Sequence, residues 1–310
     1  FTNAYSDCPV CMPARVTVMS GRHAWQHRVR ANKWVPGAYT PESSIPGLLE
    51  AAGYQTALIG KNHTGQSRRH RNGFQVLDES ENYYRFYNRY PQLGRPRAGG
   101  VAHNEHVPGI DTVGEEHSLS HWTVDRTMDY IEMRDPSRPF FAWMSFDAPH
   151  PPFVPCSSYG QRFQGQSMPE PIRGDWSKRH EDIPPAWMGV TWELSMMQRL
   201  QGEQLAQSRR AYYALTTQID YHLGILWGFL REQKLLENTW IIFTSDHGEM
   251  LGDHHMGGKC VPFEGSAHVP FIIRPPASPR DTNHPLRGKV RDDLVCLADI
   301  LPTCCGLADA

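Results

Sequence analysis

The 310-residue sequence contains no apolar run that approaches the ~20 residues needed to cross a bilayer. Charge of one sign is also missing. The 31 Lys and Arg stand against 33 Asp and Glu, a net of −2, so nothing argues for nucleic acid or an anionic membrane surface as the main partner. Internal repeats and low-complexity tracts are absent, which excludes solenoid and linker-like architectures. The seven cysteines (Cys8, Cys11, Cys156, Cys260, Cys296, Cys304, Cys305) are odd in number and show no paired zinc spacing. Cys8 and Cys11 form a Cys-x-x-Cys, but no thioredoxin-like βαβ pattern surrounds it. The opening "FTNAYS" has neither an initiating Met nor signal-peptide character, which leaves the compartment open.

What is present fits a soluble globular chain, 39% hydrophobic and 21% charged, long enough for one large α/β domain or two smaller ones. "SSIPGLLEAAGY" (43–54) reads as a helix ended by Gly53, and "YQTALIG" (54–60) as a strand running into a glycine turn. "WTVDRTMDYIEMR" (122–134) is amphipathic, with Val124, Met128 and Ile131 on one face. "PFFAWMSF" (139–146) is almost wholly apolar, as a strand covered on both faces should be. Residues 151–200 lack a period and read as a long surface excursion. The longest helix spans 204–236, with Tyr212, Leu215, Ile219, Leu223, Leu226 and Leu230 near helical spacing. "TWIIFTS" (239–245) and "VPFIIR" (269–274) are further buried strands. Alternating helices and apolar strands predict a mostly parallel α/β sheet with helices on both faces, and active residues gathered where strands end.

The 16 histidines concentrate attention on those strand ends. In "FTSDHGEMLGDHHMGGK" (243–259), Asp246 and His247 follow a buried strand, and a carboxylate beside an imidazole suits a divalent cation. A helix N-cap would account for Asp246 but leaves His247 and Lys259 without a task. "LIGKNHTG" (58–65) ends another strand with Lys61 and His63, a cation and an imidazole that could hold an oxyanion and move a proton; a solvated loop is the alternative. "SFDAPHPPFVP" (145–155) frames His150 with prolines that stiffen the loop. Near the start stands Cys11-Met12-Pro13-Ala14-Arg15, which could be no more than a buried cysteine and a proline opening a helix.

Taken in order, "VCMPARVTVMSGR", "GYQTALIGKNHTG", "FFAWMSFDAPHPPF", "TQIDYHLGILWGFL" and "NTWIIFTSDHGEMLGDHHMGGKCVPFEGSAHVPFII" cover nearly the whole chain. On these stretches the sequence resembles the type I sulfatases of the alkaline-phosphatase-like superfamily. The resemblance implies one catalytic domain over 1–310 with that superfamily's α/β fold, cut short at both ends. It implies that Cys11, the one cysteine with proline two residues on and arginine four on, is converted to formylglycine by a maturation enzyme. Ala14 stands where the family more often has serine. A hydrated aldehyde offers one hydroxyl to attack sulfur and a second whose deprotonation expels sulfate, an exit that a thiol or serine hydroxyl lacks.

The other roles implied by the resemblance follow residue by residue. The modified Cys11 is nucleophile and metal ligand, and Asp246 and His247 hold the cation, Ca²⁺ by resemblance, with Mn²⁺ or Zn²⁺ left open by the imidazole. Arg15 stabilises the charge of the hydrate and helps hold its loop, Lys61 and Lys259 neutralise sulfuryl oxygens, His63 is the base for the second hydroxyl, and His150 is the acid or hydrogen-bond donor to the leaving alcohol. The family's first strand ends in an Asp-Asp pair. None precedes Cys11, and Asp292-Asp293 lies in a polar stretch that cannot substitute. The subsdomain that closes the family's C-terminus is also missing, so a half-built metal site and weak or no turnover are expected of this chain alone. His268 stands where many relatives carry arginine.

The expected activity is hydrolysis of an aryl, carbohydrate or alkyl sulfate ester. A phosphonate monoester hydrolase or phosphodiesterase of the same superfamily shares the motifs, and a non-catalytic binder of sulfated glycans is the alternative outside enzymes. Specificity falls to loops such as 66–120 and 151–200. Within the first, "YYRFYNRYPQLGRPR" (83–97) could meet an anionic sugar or simply pack as surface. The resemblance favours a periplasmic, secreted or lysosomal-type setting.

Overall fold

The computed structural model describes residues 1–64, 72–90, 92, 104–173, 200–276 and 285–310. Strand β1 (Asn3–Tyr5) leads through Pro9 into helix α1 (Cys11–Ser20). Pro13 falls in the first turn, where the amide hydrogen it lacks would have no helical acceptor. Gly21, at φ 60°, caps the other end by donating its N–H to the Thr17 carbonyl. Every residue of α1 is buried, Arg15 included, so this is a core helix and not a surface one.

The remaining elements are α2 (Ala24–His27), α3 (Ile45–Ala51), β2 (Gln55–Gly60), β3 (Val76–Glu79), α4 (Ser80–Arg89), α5 (Leu119–Met133), β4 (Phe140–Ser145), α6 (Ser157–Arg162), α7 (Glu203–Glu232), β5 (Ile241–Thr244), α8 (Glu264–Ala267), β6 (Phe271–Arg274), β7 (Leu294–Cys296) and α9 (Ile300–Ala308). The expected helices and strands are all found, each shifted by a few residues at its ends, where caps and fraying decide the boundary.

Strands β3-β2-β4 form a parallel sheet in which Gly60 lies opposite Ser145, and β1 runs parallel to β7. β5 and β6 pair antiparallel, with Phe243 opposite Ile272. Two backbone bonds, Ser6 N–H to the Ala267 carbonyl and Val269 N–H to the Ala4 carbonyl, tie β1 to the segment entering β6. Alternation along β4 sends Phe141 and Trp143 to a core shared with Ala14 and Val18 of α1, Ile45 and Leu49 of α3, and Ile300 of α9. Phe140 points the other way, to a cluster with Ile131 of α5 and Leu230 of α7. Helices therefore lie on both faces, as expected.

Two readings need correction. β4 is half-buried along most of its length, and Phe243 and Ile272 are 36% and 58% exposed, so these strands are not covered on both faces. Among the described residues no ladder joins β4 to β5. The segment from 151 is not a surface excursion at its start. Residues 151–156 are buried, with Phe153 wholly enclosed against Leu205, Ala211 and Leu215, a burial that stabilises by roughly 1.5–3 kcal/mol. Its later part, 174–199, lies outside the described residues. In α4 the aromatics pack: Tyr83 and Tyr87 turn inward against Trp122, and the Tyr83 hydroxyl donates to the His117 carbonyl at 2.8 Å. Arg85 and Arg89 stay exposed, and positions 91 and 93–97 of that stretch are outside the described residues, as are 66–71, 91 and 93–103 of the first specificity loop. Among the described residues no helix is long and apolar enough to cross a membrane.

Candidate active site

Helical periodicity places Cys11 and Arg15, one turn apart, on the same face of α1. Val10 provides no side-chain cap; instead Asn32 Oδ1 accepts the Met12 N–H at 3.1 Å and secures the first turn. The Arg15 guanidinium donates from Nε to Asp246 at 2.8 Å, and from Nη1 to the Lys61 carbonyl at 2.7 Å, the Asn62 carbonyl at 3.3 Å and Ser145 Oγ at 2.9 Å. It thus ties α1 to the C-terminal ends of β2, β4 and β5. The guanidinium's bonds go to strand ends and a carboxylate rather than to Cys11.

β2 ends at Gly60, whose φ of 100° and close approach to the Ser145 carbonyl leave no room for a side chain: a Cβ there would sit 2.0 Å from that oxygen. Beyond this turn Lys61 brings its ammonium to 4.0 Å from Cys11 Sγ and 3.4 Å from Asp147. His63 also reaches the thiol, through a left-handed backbone at φ 44°. After β4, cis bonds precede Pro149 and Pro152 on either side of His150. The His150 ring donates from Nδ1 to the Pro151 carbonyl at 2.7 Å, so the nitrogen that meets Cys11 is Nε2. After β5, His247 Nε2 lies 3.2 Å from Cys11 Sγ, while its Nδ1 donates to the Gly248 carbonyl at 2.8 Å. Lys259 follows Gly258, near enough to His150 and Glu249 for its charge to act on both.

Electrostatics set Cys11 apart. Burial would push its thiol up, but the Lys61 charge and hydrogen bonds from His150, His247 and His63 outweigh this and hold it at about 2. Cys8, three residues earlier, is pushed up to about 11 by burial and by Asp7. All seven cysteines are free, so no disulfide links Cys8 to Cys11. Burial and the two lysine charges lower the His150 pKa, against the pull of Cys11, which makes its protonated form a readier proton donor. Asp246 is held well below the carboxylate range: burial opposes this, but His247, Arg15 and Lys61 prevail.

Cys11, Asp246 and His247 each bring one donor atom into a group spanning no more than 4.8 Å, and among the described residues no other trio of such side chains does so. The donor chemistry fits a divalent cation. The Nδ1–H of His247, held by the Gly248 carbonyl, turns Nε2 toward the site, the arrangement by which an imidazole ligand is oriented, and Arg15 orients the Asp246 carboxylate. Asp292 and Asp293 lie beside β7, where the Asp292 carbonyl accepts from Asn3 and Asp293 pairs with Arg291 on the surface. His268 is stacked on Tyr5, paired with Glu264 at 3.2 Å and bonded to the Thr2 carbonyl, which gives it a structural task on the β1 side.

Sequence reasoning missed Ser145 and Asp147, which partner Arg15 and Lys61, and Asn32, which caps α1. It also missed Glu249, whose carboxyl is held at about 2: burial is outweighed by His106, Lys259 and the Gly258 N–H. Their position just past strand ends was the available signal for Asp147 and Glu249. Asn32 and His106 offered none.

The family model for Sulfatase matches residues 1–310. The chain belongs to the sulfatase family. It is 32% identical to an arylsulfatase of Clostridium perfringens over 98% of this chain and 66% of that protein. It is 29% identical to the multifunctional alkaline phosphatase superfamily protein PehA of Trinickia caryophylli, over 98% and 64%. A choline-sulfatase of Rhizobium meliloti is 29% identical over 89% of this chain and 55% of its own length. The chain therefore spans about two thirds or less of the length of these relatives. Its fold matches a phosphonate monoester hydrolase of Agrobacterium radiobacter with a TM-score of 0.80 at 23% identity, covering 100% of this chain and 66% of that one. A putative sulfatase of Bacteroides thetaiotaomicron matches with a TM-score of 0.66 at 22% identity, covering 100% and 62%. The fold of this sulfatase-family chain is accordingly alkaline-phosphatase-like.

Proposed function

We propose that the protein containing this chain is a sulfuric ester hydrolase acting on aryl, carbohydrate or alkyl sulfates. The observation that carries the proposal is the convergence of Lys61, His63, His150 and His247, from three separate strand ends, on the one thiol that lies in a Cys-x-Pro-x-Arg sequence. Maturation of Cys11 to formylglycine would supply a hydrated aldehyde, which can both attack sulfur and let sulfate go. A cation held by Asp246, His247 and the modified Cys11 would supply Lewis acidity toward sulfuryl oxygens; Ca²⁺ suits the carboxylate, and the imidazole admits Mn²⁺ or Zn²⁺.

The residues of the chain then divide the work. Lys61 and Lys259 hold the sulfuryl oxygens, where two ammonium groups in a partly buried setting stabilise the charge that builds in the transition state. His150, fixed through Nδ1, gives a proton from Nε2 to the departing alcohol. His63 takes the proton whose loss releases sulfate. Arg15 keeps the strand ends in register beneath them.

The runner-up is phosphonate monoester or phosphodiester hydrolysis, favoured by the higher TM-score to the Agrobacterium radiobacter enzyme and by the likeness to PehA. The test uses the full-length protein co-produced with a formylglycine-generating enzyme. Turnover of nitrophenyl sulfate is compared with that of a phenyl phosphonate ester, and the mass of the peptide spanning 9–15 is read. Sulfate turnover that disappears with a chelator and with C11A supports the proposal. A phosphonate preference moves the protein to the second reading. Unmodified cysteine with no turnover of either ester removes both hydrolase readings and revives the non-catalytic one, a binder of sulfated glycans.

A further inference from the structure

Glu249 and His106 form a closely enclosed ion pair beside the site. His106 Nε2 and Glu249 Oε1 are 3.2 Å apart, with side chains 3% and 5% exposed. The same Glu249 oxygen accepts the backbone N–H of Gly258, the residue before Lys259. Met250 N–H donates to the Gly258 carbonyl at 2.8 Å, so the loop that leaves His247 and returns at Lys259 is closed at its neck by these two bonds. On the far side His106 is anchored as well. Its carbonyl accepts from Ser208 Oγ of α7, and its ring meets Phe153 edge-on at 5.1 Å. His106, Lys259 and Pro151, the neighbour of His150, line one small cleft.

Lys259 is flanked by Gly258 at φ 76° and Cys260 at φ 79°, one left-handed residue on either side. Such a backbone is not held by helix or strand hydrogen bonds, and something else must define where the ammonium points. The carboxylate of Glu249 is the group that does so from the Gly258 side. Cys260 N–H, donating to the Pro9 carbonyl at 3.1 Å, does so from the other, next to the nucleophile.

We infer that Glu249 and His106 are positioning residues for Lys259, which couple the turn bearing Asp246 and His247 to the lysine that holds the sulfuryl group. The inference rests on the anion-holding role proposed above for Lys259. Because Glu249 bonds the backbone beside Lys259, the effect of its loss on turnover is expected to pass through that lysine.

The test is a double-mutant cycle in the full-length, matured protein, comparing wild type, E249A, K259A and E249A/K259A. Both kcat/KM for nitrophenyl sulfate and the affinity for inorganic sulfate by calorimetry are measured. E249A alone is expected to lose ~10–100-fold in kcat/KM, the usual cost of displacing a catalytic group by removing its support, with kcat falling more than KM changes. In the K259A background the further loss from E249A should be within about twofold, the error of additivity. E249Q, which keeps an oxygen for Gly258 N–H, should recover most of the loss, and it guards against a misfolded E249A. An equal loss from E249A with and without Lys259, in turnover and in sulfate affinity, overturns the inference, as does an absence of sulfate binding to perturb. Non-additive sulfate affinity with no ester turnover would sustain the inference and instead remove the hydrolase reading.

Discussion

The Arg15–Asp246 pair gives the sharpest test of how the site is held. Both side chains are enclosed, 7% and 16% exposed, at 2.8 Å. Arg15→Ala removes the guanidinium from Asp246, the two carbonyls and Ser145 together, and strands a buried carboxylate with only Lys61 and His247 to offset it. Breaking one side of such a pair costs about 3–5 kcal/mol. Arg15→Lys keeps the charge but cannot span the same acceptors. The loss of two or three bonds at ~1 kcal/mol each predicts about 2–3 kcal/mol. Urea unfolding in EDTA, so that no cation compensates, measures both. The pH dependence has a definite sign. The Asp246 carboxyl is depressed in the folded state, so its stabilisation is complete above the ordinary value of ~3.9 and is lost as pH falls through the lower folded value. The gap between wild type and Arg15→Ala should therefore be widest near neutrality and narrow in acid. A neutral-pH cost below about 1 kcal/mol, the range of an exposed ion pair, would refute the reasoning, as would a gap that widens on acidification.

Three further outcomes are expected. In protein made without the maturation enzyme, the ultraviolet thiolate absorbance that Cys11→Ala removes should persist in mild acid and vanish only as pH falls toward about 2, because that is where the folded thiol protonates. Absorbance that titrates near neutrality or above would contradict the stabilisation by Lys61 and the three histidines around it. Gly60→Ala puts a methyl 2.0 Å from the Ser145 carbonyl at a φ of 100°. It should cost about 1–3 kcal/mol in thermal or urea unfolding and lower turnover by displacing Lys61. Phe153→Ala should cost about 3–5 kcal/mol, since the ring is wholly enclosed between the His150 loop and α7; a loss below that of a surface substitution would mean that residues 151–156 are not the packed segment described.

Much of the site could be read from the chain because its pieces are local. Cys11 and Arg15 share a helix face if the segment is helical, and Lys61, His150 and Asp246-His247 each follow an apolar run that reads as a strand. A strand's end is marked by its own residues, so the positions of these groups in the fold were legible one at a time. Backbone detail was less so. His63 reaches the thiol from a left-handed conformation, and residues 151–156 are buried although they lack any period, because proline-rich backbone can pack without forming helix or strand.

The sequence by itself determined the alternation of helices and strands, the order of the chemical groups and the cysteine singled out by its proline and arginine. Only the tertiary structure decided that Lys61, His63, His150 and His247 share that cysteine, that Arg15 binds three strand ends, and that Glu249 and His106 brace Lys259. Those contacts join residues up to 236 positions apart, as Cys11 and His247 are. Periodicity reports which face of its own element a side chain takes. Which distant groups it meets depends on strand register and on how the helices pack over the sheet, and that is a property of the whole chain once folded.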